Sequence, residues 1–98
     1  MKSSVNLVVE PIPSQMSFNQ YIEVVTSSTG YQYENQRYYD QNGLHWHEAI
    51  SLNQSIKLLQ KTVMHDGKAF IFTFGAHPVI YDQQIQIFED IINTVKFN

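Results

Sequence analysis

His45 and His47 stand two residues apart in the run Leu44-His-Trp-His-Glu-Ala-Ile50. On an extended strand that spacing sends both imidazoles to one face. Two imidazoles and a carboxylate form a ligand set for zinc or copper. Glu34 is the carboxylate that strand pairing would bring towards them. The same spacing arises among plain surface histidines, and the sequence fixes no third ligand. Glu48 lies beside Trp46 on the other face, where apolar surroundings could raise a carboxyl pKa. A pair with Arg37 accounts for it more simply. No Gly-x-Ser-x-Gly context surrounds any serine, and no glycine-rich loop could cradle a phosphate. Without cysteine there is no thiol nucleophile, disulfide or Cys-zinc site. These residues lead us to assign no catalytic role, no cofactor and no metal, with Glu34, His45 and His47 kept as metal candidates.

The element that fixes which way these side chains point runs from Ser55 to Gly75. Asp66-Gly67 divides two alternating apolar runs, and a two-residue turn there pairs His65 with Lys68. Counting back sets Val63 opposite Phe70, Lys61 opposite Phe72 and Leu59 opposite Phe74. Leu59, Val63, Phe70, Phe72 and Phe74 share a face that belongs under a helix. The opposite face carries Leu58, Gln60, Thr62, Met64, Ala69, Ile71 and Thr73.

The other elements follow from pattern. Val5–Val9 is an apolar run ended by Pro11 and Pro13, and predicts a strand over 4–10. Ser17 caps a helix over 17–28, with Phe18, Tyr21, Ile22 and Val25 as its apolar stripe. Tyr31–Asp40 alternates as a strand, Asp40-Gln41-Asn42-Gly43 turns, and Leu44–Leu52 is the next strand. With Asn53-Gln54 as a two-residue loop, Leu44, Trp46, Glu48 and Ile50 join the Phe face and Trp46 meets Lys61. The four-residue turn adds Tyr31, Tyr33 and Tyr39 to that face and sets Arg37 opposite Trp46. His45 and His47 then share the other face with Gln32, Glu34, Gln36, Tyr38, Gln60, Thr62 and Thr73. His77-Pro78 opens a second helix over 79–94, striped by Tyr81, Ile85, Phe88, Ile92 and Val95. Lys96-Phe97-Asn98 leaves it and packs back. The result is an α+β fold, an antiparallel meander packed against two α-helices.

Ninety-eight residues suit one domain over 1–98. The net charge of −3 lacks the basic footprint of nucleic-acid binding. No apolar run reaches the about 20 residues of a membrane span. A cytoplasmic location is expected if Met1 is the native start, and the cell envelope if an export signal has been removed.

The run Val63-Met-His-Asp-Gly-Lys-Ala-Phe-Ile-Phe-Thr-Phe-Gly-Ala76, followed by a helix closing in Phe88-Glu-Asp-Ile-Ile-Asn-Thr-Val-Lys-Phe97, resembles the Mog/PsbP/DcrB group. The likeness in element order spans about residues 5–98. Thr94-Val95 stands where the group often has Ser-Phe, and the hairpin that usually precedes the first strand is lacking. The resemblance implies an antiparallel sheet flanked by helices. It covers photosystem-associated extrinsic subunits, a Ran-binding protein, envelope lipoproteins and chaperone-like adaptors for secreted effectors. It carries no residue-level functional motif. The expectation is therefore a non-enzymatic binding or accessory module. Its contacts would use the polar sheet face, through Gln32, Gln36, Tyr38, His45, His47, Gln60 and Thr62, or an open sheet edge. An uncapped edge predicts a protein partner or a homodimer. A chaperone-like adaptor receiving an apolar helix, and a metal-binding or hydrolytic protein using His45 and His47, are the alternatives.

Overall fold

Asp66 and Gly67 hold φ of 54° and 73°, the paired left-handed conformation of a tight hairpin turn. The pairing that follows, His65–Lys68, Val63–Phe70, Lys61–Phe72 and Leu59–Phe74, is the one the turn predicts. The computed structural model describes residues 2–98. Seven elements follow in order: β1 (Ser3–Pro11), α1 (Phe18–Ser28), β2 (Tyr33–Gln41), β3 (Leu44–Asn53), β4 (Ile56–His65), β5 (Lys68–Ala76) and α2 (Pro78–Asn93). The strands form one antiparallel sheet in the order β1-β5-β4-β3-β2.

The Phe face is covered as expected. Trp46, Leu59, Val63, Phe72 and Phe74 are buried with Tyr81, Phe88 and Ile92 of α2. Phe97 returns after α2 to stack on the His65 ring at 4.1 Å and to touch Phe70. His77 caps α2 by accepting the Val79 N–H, with Pro78 in the first turn.

α1 overturns the expectation of an open polar sheet face. It lies on the imidazole face and closes a third layer. The reason is its own stripe: Phe18, Tyr21 and Ile22 need apolar cover, and Ile12 and Ala69 provide it, with Ile71 beside them. Ala69 is fully buried and small enough to let the helix come close. Ser17 caps α1 in a reciprocal pair with Gln20.

Two turns also differ. The β2–β3 turn is Asn42-Gly43, with φ of 56° and 74°, so Arg37 pairs with Glu48 and Tyr39 with Trp46. The β3–β4 turn is Gln54-Ser55, so Glu48, not Trp46, meets Lys61. Each correction slides the register by an even step, which leaves the faces intact. A bulge between Tyr33 and Asn35 does change a face. It turns Tyr33 away from the Phe face and under α1, where its hydroxyl bonds Thr29. Tyr31 falls outside β2.

Candidate functional site

The two histidines diverge. His47 is 3% exposed, sealed beneath α1, and its Nε2 bonds Gln36 Oε1 at 3.2 Å. Burial lowers its pKa from 6.5, slightly opposed by the Glu48 charge, so the ring is held towards neutrality. His45 is exposed and bonds Asp40 at 2.6 Å. The Tyr38 ring stacks on His45 at 5.6 Å and lies 4.9 Å from His47. Phe18 of α1 closes edge-on against Tyr38 and His45.

Glu34 does not complete a ligand set. It falls at the β2 bulge, where the alternation that would carry it to the imidazole face is broken, and its side chain is exposed. Among the described residues no three His, Asp or Glu side chains gather as metal ligands.

The expected polar contact face is largely taken by α1. Thr62 is buried and Gln60 bonds Thr73. Gln36 and Tyr38 remain exposed but are engaged with the histidines. Gln32 is exposed and uses its N–H on the Asn53 side chain. Between α1 and the sheet lies a cavity of about 60 Å³ lined by Tyr21, Tyr33, His47, Gln60, Thr62 and Ile71. That is room for a few waters, at about 10–15 Å³ each, and far below the about 300 Å³ of a small-molecule site.

The densest charge cluster is on the other face. Lys61, 3% exposed, stands 2.9 Å from Glu89 and 3.2 Å from Glu48. Arg37 Nε bonds Glu48 at 2.7 Å. Burial alone would raise the Glu48 pKa, but Arg37 and Lys61 pull it below the ordinary carboxylate value. Burial likewise opposes the Lys61 charge, and Tyr39 and Glu89 more than restore it. The chain of charges fastens α2 to the sheet. Glu89 lies on α2, so no strand register names it as the partner of Lys61, whereas Asn42-Gly43, a strong two-residue turn signal, sets Arg37 on Glu48 and Asp40 on His45.

The surface with unmet bonding capacity is β1. Ile12 donates its N–H to Gly67 at 2.9 Å, which continues the β1–β5 register. Backbone direction alternates along a strand, so even-numbered β1 residues bond β5. Ser3, Val5, Leu7 and Val9 aim their N–H and C=O groups outward. The side chains of Val5, Leu7 and Val9 lie on the α2 face opposite Phe74, Phe72 and Phe70, and stay between 44% and 50% exposed. Ser3 bonds Gln84 of α2. Helical spacing turns Ile87 and Ile91 to the same side of α2 as Gln84, and both are exposed. An apolar strip thus borders an open backbone edge.

No protein-family model matches this sequence, and no curated protein does. Solved structures do share its shape. The solution structure of cyanobacterial PsbP (CyanoP) from Synechocystis sp. PCC 6803 superposes with a TM-score of 0.69 at 14% identity. That match covers 94% of this chain and 65% of the other, so the chain spans less than two thirds of that protein. PA94, a protein of unknown function from Pseudomonas aeruginosa, superposes with a TM-score of 0.69 at 10% identity, covering 100% of this chain and 85% of that one. The fold is PsbP-like.

Proposed function

We propose that the protein is a non-enzymatic binding module that contacts other polypeptides by strand addition at β1. The observation that carries this is the outward-facing backbone of Ser3, Val5, Leu7 and Val9, bordered by exposed Val5, Leu7 and Val9 side chains. Unpaired edge groups are a template for an incoming strand, and neighbouring apolar side chains add affinity. The polar sheet face is a poor rival because α1 covers it. The metal or hydrolytic alternative lacks a converged donor set among the described residues. The adaptor alternative would draw on the same strip, through Ile87 and Ile91. The two surface depressions, of about 390 and 420 Å³, lie elsewhere, around Met16 and Gln20 and around Tyr31 and Asn53.

A fluorescein-labelled synthetic peptide of alternating valine and threonine serves as a generic incoming strand. Its anisotropy should rise with added protein, and the rise should vanish with Leu7→Lys protein whose circular dichroism is unchanged. An equal rise for both proteins would sink the reading.

A further inference from the structure

We infer that the strand received at the β1 edge is β1 of a second copy, in an isologous dimer whose two-fold axis passes between the two Leu7 residues. This rests on the edge-contact reading above and names its partner. The first argument is spacing. Val5-x-Leu7-x-Val9 reads the same in both directions, so an antiparallel copy centred on Leu7 sets Val5 against Val9 of the second copy and Leu7 against Leu7. An isologous interface needs such self-complementarity. Because these three residues are the ones whose backbone groups aim outward, each facing pair can exchange both N–H···O bonds. Pro11, which has no N–H, falls at the end opposite Ser3, where it still offers its carbonyl.

The second argument is charge. Residues 3–9 carry none, although the chain has a net charge of −3. Glu10 is already bonded by the Tyr21 hydroxyl on the α1 side. In the Leu7-centred register Lys2 of one copy comes diagonal to Glu10 of the other, on one face, twice by symmetry. Diagonal neighbours about 7–8 Å apart are within reach of long side chains.

The third argument is the contrast between edges. β2, the other edge strand, carries Glu34, Arg37 and Asp40 along a largely polar sequence and is bent by the bulge near Tyr33. Those are the devices that keep an edge from pairing. β1 has no charge over 3–9, no bulge in its pairing with β5 and no internal proline. Val5, Leu7 and Val9, each 44–50% exposed, lie in one row along the open backbone, so a second β1 would cover all three side chains and the edge together.

The chain has no cysteine, which makes the register testable. Paired residues at this kind of position sit about 5.5 Å apart at Cα, within disulfide range. Light scattering on the full chain should give twice the monomer mass at high micromolar concentration, and Leu7→Lys should weaken association at least tenfold with unchanged circular dichroism. On oxidation Leu7→Cys should cross-link to itself. Val5→Cys should cross-link only when mixed with Val9→Cys. A monomeric native chain, or self-cross-linking of Val5→Cys, would overturn the dimer. If the labelled peptide still binds in that case, the edge-contact reading stands alone; if it does not, both fall.

Discussion

Lys61 shows what a single buried charge commits a small domain to. Its ammonium is held between Glu48 and Glu89 with 3% of the residue exposed. Removing one member of a buried pair leaves its partner desolvated, which costs about 3–5 kcal/mol when nothing compensates. Arg37 still bonds Glu48, so Lys61→Met should cost about 2–3 kcal/mol in urea unfolding. Glu89→Gln, at a side chain 31% exposed, should cost about 1 kcal/mol or less. His47 adds a pH signature. Its folded pKa lies below 6.5 because burial disfavours the cation, so the unfolded chain takes up the proton first. The sign follows: its contribution is complete above pH 6.5 and is lost as pH falls through the window below that value. Urea midpoints measured from pH 7.5 to 5.5 should decline for the native chain and decline less for His47→Gln, which keeps a polar group facing Gln36 but cannot titrate.

At the level of elements, pattern carried faces better than partners. The Asp66-Gly67 hairpin, the Ser17 cap, the Phe stripe and α2 were legible because each rests on local chemistry: positive φ, an orphan N–H, a period of two or of 3.6. Which residue sat opposite which was less legible. Asn42-Gly43 held a two-residue signal inside a longer polar run, and nothing about Gln54-Ser55 marks it as a turn over Asn53-Gln54. The bulge that hides Tyr33 under α1 has no signature in Tyr-Glu-Asn. The placement of α1 was readable in principle, since its stripe matches Ile12, Ala69 and Ile71 better than a face already filled with phenyl rings. β1 yields a prediction of its own. In dilute protein the amides of Asn6, Val8 and Glu10 should exchange slowly with deuterium while those of Val5, Leu7 and Val9 exchange fast, because only the first set bonds β5. Protection of the second set should grow with protein concentration. Uniform protection at every concentration would show the edge covered from within the chain.

Seen as a whole, the molecule is a three-layer structure held by two separate apolar clusters, one on each side of a single sheet. Its fold is shared with PsbP of a cyanobacterium and with a Pseudomonas protein at sequence identities of 14% and 10%. At that distance what persists is the arrangement of layers, so the individuality of this chain lies in how its margins are finished. The strand order places the first strand beside the last, β1 against β5. Antiparallel neighbours β2 to β5 are joined by tight turns and can zip together early, whereas β1–β5 contacts such as Ser3–Ala76 must close a loop of about 70 residues. During synthesis, the Val-Asn-Leu-Val-Val segment therefore emerges from the ribosome long before β5, its mate among the described residues, has been made. Nascent chains crowded on one messenger would carry that segment bare at the same time, so the pairing between copies proposed above would be open to them before either chain has finished folding.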